Sequence, residues 1–131
     1  MPTLEHFAIY AADPASLKDF YVAAFGLRVA VDHSASSPPG YFLADENGTA
    51  IEIIGRPPGE SATRQRYVCH VAFHVDDCAV ARADLEHLGA QFEADTTVDK
   101  PAMQTAFCND PEGNRLQIVH RTRPLAERVR S

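Results

Sequence analysis

The stretch Tyr67-Val-Cys-His-Val-Ala-Phe-His-Val-Asp-Asp77 has a near-copy sixty-four residues earlier, Leu4-Glu-His-Phe-Ala-Ile-Tyr-Ala-Ala-Asp13. At that offset His6 falls on His70, Ala8 on Ala72, Ile9 on Phe73 and Asp13 on Asp77. Each copy is an apolar run of strand length closed by an Asp that can cap a following helix. A second register repeats further along, at an offset of 65. There Asp45 meets Asp110, Gly48 meets Gly113, Ile51 meets Leu116, Ile53 meets Ile118 and Ile54 meets Val119. Between the matched apolar pairs, Glu52 lands on Gln117.

Between and beyond these anchors the chain punctuates itself. Thr3 to Ala11 reads as a strand, and Asp13-Pro14 supplies a cap and a proline for the first helical position. Ala15 to Phe25 is then a helix, with Leu17, Phe20, Tyr21, Ala24 and Phe25 on one stripe and Gly26 as its stop. Leu27 to Asp32 is a short β-rich run. His33 to Gly40 has the composition of a mobile loop or lid. Tyr41 to Ala44 and Thr49 to Ile54 are strands joined by Asp45-Glu-Asn-Gly48, a hairpin turn that uses positive φ at Asn-Gly. Arg56 to Arg66 reads as a linker. The order then repeats: strand 67–75, Asp76 or Asp77 as cap, helix to Leu88, Gly89 as stop, and a short strand over Gln91 to Ala94. A Thr/Asp/Lys/Pro loop follows, then strands over Gln104 to Cys108 and Asn114 to His120. A tail over 122–131 carries arginines and reads as a solvated end.

The expected fold is α+β: one domain over 1–131 built from two βαβββ modules, about 3–55 and 67–121, whose curved antiparallel sheet forms a cleft with the helices on one side. A chain of 131 residues with 45% hydrophobic content suits one domain of ordinary size. A net charge of -6 and a pI near 5.4 argue against nucleic acid or an anionic membrane surface and favour a small-molecule partner. No apolar run reaches the roughly 18 residues of a membrane span, so the expected location is the cytoplasm. Cys69, Cys78 and Cys108 have no CxxC spacing and are expected as reduced, mostly buried thiols.

Alternation along a strand separates the side chains that pack from those that act. Ile51 and Ile53 suit the helix-packed face, which leaves Glu52 on the other; Leu116 and Ile118 likewise leave Gln117. His6 and His70 hold equivalent places in the opening strands. Facing each other across a cleft, His6, Glu52, His70 and Gln117 make a nitrogen and oxygen set suited to a divalent ion: Ni, Co, Zn, Fe or Mn. The lack of a thiolate argues against structural zinc. Tyr10 and His74 also match, and as rim residues they are candidates for contacting a substrate. Phe42 and Phe107 match at 65 and read as core, and His33 and His87 as solvent-exposed.

The doubled unit, Leu4-Glu-His-Phe, Cys69-His-Val-Ala-Phe, Asp110-Pro-Glu-Gly-Asn and Leu116-Gln-Ile together resemble the vicinal oxygen chelate superfamily. That group includes glyoxalase I, methylmalonyl-CoA epimerase, extradiol dioxygenases and the fosfomycin and bleomycin resistance proteins. The resemblance covers residues 3 to 121. It implies that His6, Glu52, His70 and Gln117 stand at the four metal-binding positions of the glyoxalase I and epimerase branches. It also implies a homodimer, with each site formed within a chain or shared between two. Bacterial glyoxalase I has an Arg four residues after its first ligand and an Asn four after its second, both for glutathione. Tyr10 and Arg56 stand there instead, which argues against glutathione.

A divalent ion would polarise a substrate carbonyl, and Glu52 is the ligand able to take a proton alpha to it. The expected activity is therefore a glyoxalase-like isomerase, epimerase or lyase. One alternative reads His6, His70 and Glu52 as the iron triad of an extradiol dioxygenase, with Gln117 standing aside. Another is a non-catalytic protein that sequesters a small molecule, as in bleomycin resistance.

Overall fold

The computed structural model describes residues 4–56 and 69–125. Most of the expected linker and the end of the arginine-bearing tail lie outside them. The chain divides into two compact units, one holding the first described stretch and the other the second. Each contains one sheet and one long helix, the α+β class expected.

In the first unit the strands are β1 (His6–Ala11), β2 (Arg28–His33), β3 (Gly40–Ala44) and β4 (Ala50–Gly55), in the order β1-β4-β3-β2. β1 and β4 run parallel while the other pairs are antiparallel, so the sheet is mixed. The parallel pair follows from the connectivity. Helix α1 (Pro14–Phe25) brings β2 back to the heading of β1; β3 then reverses it and β4 reverses it again, so β4 runs with β1. Helix α1 begins as expected, with the Asp13 carboxylate accepting from the Ser16 amide, and ends on Gly26 at φ 66. Leu17, Phe20 and Tyr21 are buried on its inner face. They meet a sheet face made of Ile9, Ala11, Tyr41, Leu43, Ile51 and Ile53, all buried, and this is the core of the unit. Ala24 and Phe25 are only half-buried, because the stripe runs off the sheet at the helix end.

The second unit repeats the plan with β5 (His70–His74), α2 (Cys78–His87), β6 (Gln91–Phe92), β7 (Val98–Lys100), β8 (Met103–Asn109) and β9 (Arg115–Arg121). Its order is β5-β9-β8-β6, again with the opening and closing strands parallel, and β7 also pairs with β8. Asp77 is the cap, accepting from the Ala79 and Val80 amides. Helix α2 buries only Leu85, a weaker anchor than the three side chains of α1. Leu116, Ile118, Ala106 and Cys108 form the buried sheet face beneath it.

Four expectations change. The sheets are mixed rather than antiparallel, because β1 pairs with β4, and β5 with β9, in parallel. The Thr/Asp/Lys/Pro stretch is not all loop. Val98, Asp99 and Lys100 pair with Thr105, Gln104 and Met103 across a turn at Pro101-Ala102, an edge strand whose polar residues hide it from a pattern reading. The Asn47-Gly48 turn places only Gly48 at positive φ, 89°, and the matching Gly113 has the same value. Asp45 and Asp110 hold these turns by accepting from the backbone two and four residues on. The thiols remain unbridged, but of the three only Cys108 is buried; Cys69 is exposed and Cys78 half-buried.

Candidate metal-binding faces

The face of the first sheet turned away from α1 carries the expected polar residues. In the parallel pairing Ala8 stands beside Glu52 and Tyr10 beside Ile54, so His6, Ala8 and Tyr10 share the face of Glu52. The ring of His6 is held at both ends. Its Nδ1 meets a Glu5 carboxylate oxygen at 2.8 Å and its Nε2 lies 3.5 Å from Glu52 Oε1. A proton on Nδ1, shared with Glu5, leaves the Nε2 lone pair directed toward Glu52. Two ligands each about 2.1 Å from an ion stand about 3.0–3.4 Å apart when adjacent, so His6 and Glu52 fit as two neighbouring donors. Tyr10 is 51% exposed on the same face.

Phe42 pairs directly with Glu52 in the antiparallel register, and its ring meets His6 edge-on at 5.2 Å and 85°. The core reading of Phe42 is thus corrected. Strand alternation puts it on the polar face, where it is half-buried and steadies the imidazole. His33, exposed at the end of β2, touches the same ring at 6.1 Å.

The second sheet repeats this arrangement by itself. Phe107 pairs with Gln117 and meets His70 edge-on at 5.0 Å and 81°, so Phe107 is likewise not a core residue. Its ring is backed by the Arg115 guanidinium at 4.0 Å, which is fixed by a two-pronged ion pair to Glu93 at 2.9 and 3.1 Å. The Gln117 amide donates to Thr105 Oγ1 at 2.8 Å, and that hydroxyl donates to the Ile118 carbonyl at 2.8 Å. His74 lies four residues beyond His70 on the same face, where its Nε2 stands 3.2 Å from the Arg121 backbone nitrogen and 3.4 Å from the Arg121 carbonyl oxygen.

The first unit therefore brings His6 and Glu52 to one sheet face, and the second brings His70 and Gln117 to one sheet face. Among the described residues no group of three or more His, Cys, Asp or Glu side chains gathers to hold an ion. Gln117 is a donor of a type outside that set. A separate cavity of about 510 Å³ lies on the α2 side of the second sheet, lined by Asp77, Cys78, Arg82, Val98, Gln104 and His120 among others, and neither His70 nor Gln117 borders it. The signal for Phe42 and Phe107 was present in their shared offset. Thr105, Arg115 and Glu93 have no such signal, because their roles arise only from cross-strand neighbours.

Comparison with known proteins agrees with this doubled architecture. A family model described as Glyoxalase/Bleomycin resistance protein/Dioxygenase superfamily matches residues 3–118. No curated protein matches the sequence significantly. Similar solved structures include a point mutant of the fosfomycin resistance protein FosX from Listeria monocytogenes, complexed with Mn(II) and 1S,2S-dihydroxypropylphosphonic acid. It has 16% identity and a TM-score of 0.76, over 100% of this chain and 99% of that one. A glyoxalase/bleomycin resistance protein/dioxygenase family enzyme from Burkholderia phytofirmans PsJN has 19% identity and a TM-score of 0.71, covering 91% and 98%. TnmS3, an antibiotic binding protein from Streptomyces sp. CB03234, has 19% identity and a TM-score of 0.65, covering 93% and 98%. At these identities the likeness is one of fold.

Proposed function

The chain belongs to the glyoxalase/bleomycin resistance protein/dioxygenase superfamily, and from that premise we propose that it is a cytoplasmic, homodimeric, metal-dependent isomerase, epimerase or lyase acting on a small carbonyl compound. His6, Glu52, His70 and Gln117 hold a divalent ion, with each unit contributing one imidazole and one oxygen. The observation that carries this reading is the doubled pair itself. His6 Nε2 and Glu52 Oε1 stand at 3.5 Å in the first unit, and the second unit sets His70 and Gln117 around the equivalent phenylalanine. Superfamily members bind divalent metals, Mn(II) in one FosX structure.

A bound ion supplies a Lewis acid for the substrate carbonyl. The chain supplies the rest. Glu5 holds His6 by its Nδ1, Phe42 and Phe107 set the imidazole planes, and Tyr10 and His74 stand at the rim to contact the substrate. Glu52 takes the proton alpha to the carbonyl and returns it at the same or a neighbouring carbon. Gln117 has no ionisable group and stays a ligand. Its fixed orientation favours a four-ligand set over an iron triad from which Gln117 stands aside. The test is solvent-deuterium incorporation into small alpha-hydroxycarbonyl compounds by the metal-loaded protein. Exchange that depends on added metal and is lost in Glu52→Gln supports the proposal, whereas exchange retained in Glu52→Gln removes Glu52 as the base.

A second reading, sequestration of a small molecule without chemistry, draws on the lack, among the described residues, of any cluster of three or more His, Cys, Asp or Glu side chains and on the fold shared with TnmS3. Tight ligand binding by metal-stripped protein, with no turnover after metal is restored, would select it.

A further inference from the structure

We propose that Thr105 is a positioning residue that turns the Gln117 amide oxygen-first toward the ion; this rests on the metal reading above. An amide presents two unlike ends, an oxygen that can bind a cation and an NH2 that cannot. Rotation by half a turn would aim the wrong end at the site. Something must fix it.

The fixing group is a buried hydroxyl. Thr105 is 6% exposed, on the face of β8 diagonal to Gln117. A hydroxyl has one proton to give, and Thr105 gives it to the Ile118 carbonyl at 2.8 Å. Its oxygen can then only accept. The group it accepts from at 2.8 Å is Gln117 Nε2. A flipped Gln117 would set two acceptor oxygens against each other, with the only proton already committed. The relay therefore has one polarity, from Gln117 N–H to Thr105 O–H to the Ile118 carbonyl, and it leaves Gln117 Oε1 as the end presented on the open face.

The first unit differs at both positions. Glu52 occupies the position of Gln117, and its carboxylate has two equivalent acceptor oxygens, so either rotation presents a ligand. Gly40 occupies the position of Thr105 at the offset of 65. A Cβ there would lie 2.5 Å from the Ile53 carbonyl oxygen, closer than any side chain is accommodated. Beside the symmetric ligand the matching position is a glycine. Beside the asymmetric one it is Thr105.

A double-mutant cycle read by Mn(II) titration calorimetry tests this. Thr105→Val is expected to weaken Mn(II) binding about ten- to a hundred-fold, the range for loss of a supporting partner behind a ligand, while Thr105→Ser stays close to wild type. In the Gln117→Glu background Thr105→Val is expected to cost nothing further, because a carboxylate needs no orientation. Equal losses in both backgrounds would mark Thr105 as merely structural and overturn the assignment, as would no loss in either. In metal-free protein, the Gln117 side-chain NH2 protons are expected to be resolved and slow to exchange by NMR, and to lose that protection in Thr105→Val. An amide that exchanges as fast as a surface glutamine in the wild type overturns the relay without reference to metal. A protected amide in a chain that takes up no Mn(II) instead removes the metal reading, and the positioning role falls with it.

Discussion

Glu52 and His6 show how much depends on single contacts. His6 is held between Glu5 and Glu52, so Glu5→Gln should leave the fold intact while lowering metal affinity, because a neutral amide supports the Nδ1 proton less well than a carboxylate. The expected loss is about ten-fold, measured by the same titration. Cys108 makes a different point. It is fully buried, and burial pushes its thiol up to about 12, with Asp110 and Glu93 adding to the rise. The folded chain keeps this proton after the unfolded chain, near the ordinary 9.0, has lost it. The stabilising contribution is therefore complete below about 9 and is lost as pH rises toward 12. Urea unfolding between pH 8 and 10 should show a shallower loss of stability in Cys108→Ala than in wild type. Below pH 8, exposed Cys69 should react with a thiol reagent while Cys108 stays inert.

At the level of elements, the two turns and the two helices are duplicated in design but not in burial. Asp110 is 1% exposed, and its carboxylate accepts from the Glu112 and Asn114 amides and from the Asn114 side chain. Asp45 makes the same backbone bonds from a half-buried position. Asp110→Ala should therefore cost more than Asp45→Ala, by about 1–3 kcal/mol for donors left buried and unpaired, as urea unfolding would measure. Asp77→Ala removes the cap of α2 and should cost about 1 kcal/mol. The strands that carry the proposed ligands were legible in the sequence because period-two burial needs only one strand to be read. β7 was not, since its polar residues pair at an edge. The parallel pairing of β1 with β4 and of β5 with β9 was also missed, because it is set by the count of reversals rather than by composition.

For the whole molecule, the repeat at 64 and 65 residues predicted two modules of one plan, and the two compact units follow that division. Which face bears His6, Glu52, His70 and Gln117 could also be read directly. What surrounds them could not. Phe42 and Phe107 were visible as a matched pair but misread as core, because hydrophobicity alone does not say which face an aromatic ring covers. The Thr105 relay and the Arg115-Glu93 brace join residues 12 and 22 positions apart, a closeness that only strand register creates. Among the described residues no helix is long and apolar enough to cross a membrane. The proposal that one ion is held jointly by both modules makes the most exposed claim. Mn(II) titration of wild type, His6→Ala and His70→Ala tests it most directly. One ion bound per chain, with affinity lost on removing either imidazole, is the expected result; binding that survives either substitution unchanged would contradict it.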